Sequence, residues 1–175
     1  MSDFWILDTS ALVMLVSGIC HTPSSIIYHN LEDLEIRNPV VARELKRQLD
    51  SEKSAKLLSQ FRFPKQLLAP QTAFEEALNI VLTLGNKQER ERFGWLFLTN
   101  AILIIRDRAS ELLENVQLSK SVSMNDKLIF GTALSLQYPI LTSDAKFVRA
   151  VQQKGVTLDA IIHPPRSLLG ALEHS

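Results

Sequence analysis

The sequence predicts an α/β fold in which a central parallel sheet is covered by helices on both faces. Short apolar runs of strand length alternate along the 175 residues with windows in which apolar residues recur at helical spacing. Such alternation is typical of parallel sheets, whose functional sites lie at the carboxyl ends of the strands. Asp8 directly follows the run Phe4–Leu7, and Asp144 follows the run Ile140–Thr142 by two residues. We therefore expect both carboxylates at that edge of the sheet.

The first third of the chain is predicted to hold one strand and two helical regions separated by a loop. After the first strand, Thr9 or Ser10 can cap a helix over Ala11–Val16. Residues 18–39 contain a glycine, two prolines and several Ser and Asn residues, so they are predicted mostly as loop with at most one short turn. Residues 40–61 carry apolar side chains at roughly helical spacing and predict one long helix or two short ones.

The middle of the chain is predicted as strand, two helices and strand. Leu67–Ala69 is a short apolar run, and the helix predicted over 70–84 carries its proline in the first turn. Gly85 is expected to end that helix in the left-handed conformation. A further helix over 87–98 leads to the aliphatic run Ile102–Ile105, which predicts a buried strand.

The last third is predicted to complete the alternation. Residues 107–117 and 124–137 are predicted helices, and Ile140–Thr142 is the fourth strand. A helix over 145–153 follows, and a glycine separates it from a last strand predicted over 156–158.

Composition limits the class of protein. An apolar content of 46% with 22% charged residues is typical of a globular chain, and 175 residues suit a single domain. Nineteen basic and nineteen acidic residues give no net charge, so any phosphate-binding surface must be local. Cys20 is the only cysteine, which excludes a disulfide framework and a cysteine-rich zinc site. Because no secretory leader or membrane-spanning run is found, we expect a cytoplasmic protein without a membrane partner.

Four acidic residues stand in surroundings that favour a metal site: Asp8, Glu76, Asp126 and Asp144. Carboxylates brought together from distant segments repel one another unless a divalent cation holds them. Each also has an ordinary alternative. The first and last can be helix N-caps, the third can form a variant capping box with the serine three residues before it, and the glutamate can be a solvated helix residue.

The order and neighbours of these acids resemble the PIN-domain family, especially the VapC-type toxin ribonucleases. Four blocks carry the resemblance in the family's order: LDTSALV, the pattern APxxxxxExxN, NDKLIFGTAL and PILTSDAKF. It implies a PIN-like three-layer α/β/α sandwich with a central parallel sheet. It also implies a divalent-metal-dependent endoribonuclease whose cleavage leaves a 5′-phosphate.

The resemblance assigns roles to the acids. Clustered carboxylates bind Mg²⁺ or Mn²⁺, hard cations that prefer oxygen ligands. Asp8, Asp126 and Asp144 are the expected ligands, and Glu76 is expected to ligate the metal or orient the water. Four further side chains are expected to hold these ligands or to contact substrate phosphate: Thr9, Ser10, Asn79 and Thr142.

Glu75 competes with Glu76 for the second acidic position. Glu76 lies six residues after Pro70 and three before Asn79, which matches the family block. On a helical wheel, however, both glutamates flank the same apolar arc, so geometry alone does not separate them. We prefer Glu76 on the block spacing.

The chain departs from the compact toxins by an enlarged loop or helical insertion at residues 18–65 of a single domain spanning 1–175. Residues 40–66 hold seven Lys/Arg and three acidic residues. This segment is either a phosphate-contacting arm or an ordinary solvated helix face, or its apolar positions receive a partner. The expected role is the toxin of a type II toxin–antitoxin pair, with RNA as substrate, a small antitoxin as partner and a homodimer as assembly. The alternative is a degenerate PIN fold that binds RNA or protein.

Overall fold

The computed structural model describes residues 2–117, 119, 120 and 122–173. Its chain forms two compact units. The first unit comprises Met1–Leu12, Phe63–Ala77 and Leu96–Pro164. The second unit comprises Val13–Arg62, Leu78–Trp95 and Pro165–Ser175. The segment predicted as an enlarged insertion, 18–65, therefore falls mainly in the second unit.

The first unit contains a five-stranded sheet in the order β3-β2-β1-β4-β5, with every neighbouring pair parallel. Its strands are β1 Phe4–Leu7, β2 Gln66–Pro70, β3 Ile102–Ile105, β4 Ile140–Thr142 and β5 Ala160–Ile162. The chain runs outward from β1 to β3 and then crosses back to β4 and β5, so the direction of winding reverses between β1 and β4. The predicted α/β class is confirmed, and a parallel sheet flanked by helices is consistent with a three-layer α/β/α sandwich.

Eight α-helices lie within the described residues: α1 Thr9–Val16, α2 Gly18–His21, α3 Ser24–Arg37, α4 Pro39–Ser54, α5 Gln71–Leu84, α6 Lys87–Leu98, α7 Met124–Leu136 and α8 Ala145–Gln153. The helices predicted at the positions of α1, α5, α6, α7 and α8 are confirmed within two residues. Across the described chain, no single helix has the length and apolar character that crossing a membrane requires.

The core of the first unit is built on the two central strands. Ile6 and Leu7 of β1, and Ile140 and Leu141 of β4, are completely buried. Successive residues of a strand point to opposite faces, so this burial shows that both faces of the sheet are covered at these strands, as is usual where helices flank a parallel sheet. On α7 and α8, the rings of Phe130 and Phe147 stack with their centroids 4.0 Å apart.

The predictions for β3 and for residues 107–117 need correction. β3 is an edge strand, so Ile102 is buried whereas Leu103 and Ile104 are 38% and 46% exposed. No long helix follows it, and only a short 3₁₀ turn forms at Glu111–Leu113. The carboxylate of Asp107 instead accepts two hydrogen bonds from Thr72, from its backbone N–H at 3.1 Å and its hydroxyl at 2.6 Å. It therefore caps α5 rather than a helix of its own.

The last strand was predicted four residues too early. Val156 and Leu158 are buried, which explains why their apolar pattern resembles a strand. The residues that pair with β4 are those of β5, beginning with Ala160 opposite Ile140. The residues whose side chains are buried in this segment therefore differ from the residues whose backbone groups pair with β4.

Residues 18–39 were predicted mostly as loop, and this prediction is wrong. They form α2 and α3, and α3 buries three apolar residues at helical spacing: Ile27, Leu31 and Leu34. These side chains share one apolar cluster with Leu45 and Leu49 of α4. Packing between α3 and α4 therefore stabilises a helix that the local sequence of α3 does not predict. The Asn38 side chain caps α4 by accepting a hydrogen bond from the Val41 N–H at 3.2 Å.

A buried glutamate joins three segments of the second unit. Glu89 is fully buried, and its Oε1 accepts hydrogen bonds from the backbone N–H groups of Gly18 at 2.7 Å and Leu169 at 3.0 Å. Its Oε2 accepts from the N–H of Asn86 at 2.8 Å and also from Leu169 at 3.0 Å. A buried charge of this kind is tolerated because each oxygen is satisfied by fixed backbone donors.

Gly170 allows the C-terminal segment to approach the end of α5 closely, and Gly85 avoids a steric contact with the last turn of α5 itself. A Cβ on Gly170 would lie 2.2 Å from the Leu84 carbonyl oxygen, and a Cβ on Gly85 would lie 2.5 Å from the Val81 carbonyl oxygen. The positive-φ residues of the described chain are Asn100, Gln137 and Gly155. The predicted left-handed conformation of Gly85 is therefore wrong, and steric contact is the reason for a glycine there.

We expect Glu89→Gln to lower the free energy of unfolding by about 2 kcal/mol, because an amide N–H₂ would face backbone donors that are already buried. Urea denaturation followed by circular dichroism measures this change. The matched control is Glu91→Gln, which affects an exposed side chain 3.9 Å from Lys87 and should change stability by less than about 0.5 kcal/mol. Equal urea midpoints for Glu89→Gln and Glu91→Gln would contradict the role given to Glu89.

Candidate active site

Asp8 occupies the point where β1 passes into α1, and its side chain is buried. Its Oδ1 accepts hydrogen bonds from the Ser10 hydroxyl at 2.6 Å and the Ala11 N–H at 2.8 Å, and its Oδ2 accepts one from the Thr142 hydroxyl. Asp8 itself therefore caps α1, and the prediction of Thr9 or Ser10 as the cap is wrong.

Burial raises the pKa of Asp8 to about 6, although the hydrogen bonds from Ser10, Thr142 and Ala11 lower it. The nearby carboxylate of Asp144 adds a smaller upward contribution. A carboxylate in this position is costly to ionise, because burial removes water and the second acid adds like charge.

Asp144 is brought beside Asp8 through the last residue of β4. Thr142 is fully buried; its hydroxyl donates to Asp8 and accepts a hydrogen bond from the Asp144 N–H at 2.9 Å. The Ser10 hydroxyl makes a parallel link, since it accepts from the Ser143 N–H at 2.8 Å. The Asp144 carboxylate also caps α8 by accepting from the Phe147 N–H at 2.9 Å.

Glu76 reaches the same region from α5. Its Oε2 accepts a hydrogen bond from the hydroxyl of Thr9, the neighbour of Asp8, at 2.7 Å. Its Oε1 accepts one from the side-chain amide of Asn125 at the start of α7. Sequence reasoning did not single out Asn125, although it stands inside the NDKLIFGTAL block beside the acid that was chosen.

The contacts separate the two competing glutamates. Glu75 is exposed and accepts a hydrogen bond from Gln71 of its own helix at 2.9 Å. Glu76 instead contacts side chains from two other segments. Asn79 is exposed, and its backbone carbonyl accepts a hydrogen bond from Thr83 at 2.7 Å.

Asp126 has the helix-capping role that the sequence offered as an alternative to metal binding. It forms a capping box at the start of α7, in which its Oδ2 accepts from the backbone N–H and the hydroxyl of Ser123, both at 2.7 Å. The box is completed by the Asp126 N–H, which donates to the Ser123 hydroxyl at 3.1 Å. The carboxylate is thus turned toward its own helix terminus.

The family profile of a "Protein of unknown function (DUF1308)" matches residues 6–175. The chain belongs to the DUF1308 family. The match covers almost the whole sequence, including both compact units. Its description gives no activity, so the resemblance to PIN domains stays a prediction. No solved structure matches the chain.

The site of this DUF1308 protein offers only oxygen donors, the ligand type that Mg²⁺ and Mn²⁺ prefer. Among the described residues, no group of three or more His, Cys, Asp or Glu side chains is arranged to hold one metal ion. The predicted set Asp8, Asp126 and Asp144 is therefore not assembled in this arrangement, and Asp126 forms the capping box of α7. Asp8 and Asp144 remain as neighbouring carboxylates, and a Mg²⁺ site typically uses one or two carboxylates and keeps several waters.

In metal-free buffer, we expect wild type to lose stability relative to Asp8→Asn as the pH rises from about 4 to about 6. Within this window the native state retains the proton on Asp8, whose pKa is about 6, whereas the unfolded state has released it. The native state therefore binds more protons, so stability falls with rising pH. The full difference is about 3 kcal/mol above about pH 6.

Urea denaturation with EDTA at about pH 4.5 and about pH 8 should show about 2 kcal/mol of this difference, because about 1 kcal/mol is already lost at about pH 4.5. Asp159→Asn is the control, because Asp159 is exposed and its substitution should give the same difference from wild type at both pH values. A pH-independent difference between wild type and Asp8→Asn would contradict the assignment of a raised pKa to Asp8.

Proposed function

We propose that the carboxyl edge of β1 and β4 is the active site of a divalent-metal-dependent endoribonuclease. The observation that carries this proposal is the burial of Asp8 at the point where the sheet reverses its winding, with Asp144 linked to it through Thr142. Ligand sites of open α/β sheets lie at such switch points. Helix capping alone does not require a buried carboxylate with a second acid beside it.

Asp8 and Asp144 would hold the metal ion. When bound, Mg²⁺ or Mn²⁺ supplies Lewis-acid stabilisation of a phosphodiester and lowers the pKa of a coordinated water. The chain's own groups keep the ligands in place: Thr142 and Ser10 each bond Asp8 and the segment that carries Asp144. Glu76 is the remaining acid and would accept a proton from, or orient, the attacking water.

Thr9 and Asn125 are positioning residues in this proposal. Each donates a hydrogen bond to one oxygen of Glu76, so the orientation of that carboxylate is set from two different segments. A carboxylate held in this way needs little rearrangement to act on a water molecule, which is the advantage of a preorganised site.

The choice of RNA, the toxin role, the small antitoxin, the homodimer and the cytoplasmic location have the resemblance to VapC-type toxins as their support. They remain predictions that depend on that resemblance. The chemical part of the proposal depends on the residues at the sheet edge and can be tested separately.

A binding module without catalysis is the second candidate. Asp8, Asp126 and Asp144 each accept a hydrogen bond at the start of a helix, which accounts for all three aspartates by local structure. The described residues also show no set of three metal-ligating acids. This candidate requires that RNA is bound and left intact when Mg²⁺ or Mn²⁺ is supplied.

We expect wild type to cleave single-stranded RNA with Mn²⁺ or Mg²⁺, and Asp8→Asn and Asp144→Asn to lower the rate on the order of 100-fold or more. Mn²⁺ should raise the melting temperature of wild type as its concentration increases and leave that of Asp8→Asn unchanged. Asp159→Asn serves as the control with full activity. Equal rates in Asp8→Asn and wild type would refute the proposed site.

Glu76→Gln should reduce the cleavage rate at least about tenfold, since the acid that contacts Thr9 and Asn125 would lose its charge. Glu75→Gln is the matched control on the same helix, and its rate should equal that of wild type. The two variants are compared by single-turnover cleavage at saturating metal. The reverse order of the two rates would show that Glu75 is the functional acid.

A further inference from the structure

The exposed face of α4 carries a row of basic side chains. On a helix with about 100° per residue, four of them fall within an arc of about 120°: Arg43, Lys46, Arg47 and Lys53. The remaining part of the circumference contains the buried residues Ala42, Leu45 and Leu49, which pack in the core of the second unit. The basic row therefore faces solvent because its helix is anchored from the other side.

Acidic residues of this segment offset part of the row, because the exposed Asp50 lies within the same arc and accepts a hydrogen bond from the Tyr28 hydroxyl. Glu52 is buried and forms an ion pair with Arg166 at 3.0 Å, so its charge is compensated inside the unit. Glu44 pairs with Arg47 at 2.7 Å, and this hydrogen bond lowers the pKa of Glu44 to about 2. The four basic side chains of the row therefore outnumber the two acidic side chains at the surface of α4, Glu44 and Asp50, because the third acid, Glu52, is compensated by Arg166.

A cavity of about 360 Å³ lies at the C-terminal end of the row. Its polar lining includes Lys53, Lys56 and the ion-paired Glu52, together with His21, Thr22 and Ser24. Neither lysine forms an ion pair with any residue in the described part of the chain. The cavity therefore presents two ammonium groups and two hydroxyls suited to phosphate oxygens, whereas the His21 Nε2 contacts the Leu15 carbonyl at 2.7 Å and the Glu52 carboxylate is paired with Arg166.

We propose that this basic row and its cavity bind the phosphate groups of a single-stranded polynucleotide. From Arg43 to Lys53 the row is about 15 Å long, which exceeds a single phosphate and fits a polyanion laid along the helix. The choice of RNA as the polynucleotide rests on the proposed function, whereas the phosphate chemistry follows from the side chains themselves. A local basic surface of this kind lets a chain with no net charge bind a polyanion.

The test is fluorescence anisotropy with a labelled RNA of about ten nucleotides in EDTA, so that no metal-dependent cleavage occurs. Lys53→Ala/Lys56→Ala should weaken binding on the order of tenfold and reduce the slope of log K against log salt by about 1.4, or about 0.7 for each phosphate contact removed. The control Lys120→Ala/Lys154→Ala removes the same charge elsewhere and should change neither quantity. All four lysines are exposed, and thermal melts verify that both double variants fold.

If both double variants lost RNA affinity to the same extent, the proposal would be overturned, because the effect would then come from net charge. A second experiment measures the thermal stability of wild type and of Lys53→Ala/Lys56→Ala in inorganic phosphate. If phosphate stabilises wild type and not Lys53→Ala/Lys56→Ala while RNA affinity is the same in both, the cavity takes a small phosphate compound and the polynucleotide assignment is wrong. Failure of cleavage with RNA binding intact would refute the nuclease and leave this surface standing, so the two proposals fail separately.

Discussion

The buried carboxylate of Asp8 is the interaction on which the first unit depends. It ends β1, begins α1 and accepts a hydrogen bond from Thr142 at the end of β4, so one side chain joins three elements at the centre of the sheet. Burial disfavours its charge, and the proximity of Asp144 disfavours it further. A site that keeps such a group has either a structural use for its hydrogen bonds or a cation to compensate its charge.

The buried acidic side chains of the second unit have different partners. Glu89 is satisfied by backbone N–H groups from three segments, and Glu52 by the guanidinium of Arg166. Neither arrangement places a second carboxylate against the first, so both acids are accounted for by structure alone. The sheet edge differs, because Asp144 lies near enough to Asp8 to raise its pKa and Glu76 is held by donors from two other segments, an arrangement that the proposed function explains.

Helix capping and a functional role are compatible at the sheet edge. Each strand of a parallel sheet delivers its chain to the same edge, where a helix begins and its first N–H groups need acceptors. Asp8 and Asp144 meet this need with one oxygen each. Asp126 accepts through Oδ2 from its capping serine, whereas Asp8 and Asp144 are linked to one another through Thr142. The geometry therefore divides the acids that the sequence pattern treats as equivalent.

The sequence by itself determined the α/β class, four of the five strands, most helices and the position of Asp8 and Asp144 at the carboxyl edge. These features depend on apolar periodicity and on the residue that ends each run, which are local properties. The tertiary structure alone decided the helicity of α3, the place of β5, the capping roles of Asp107 and Asp126, and the contact of Asn125 with Glu76. Each of these depends on a partner distant in the chain or on a choice between two local geometries of similar energy, and packing makes that choice.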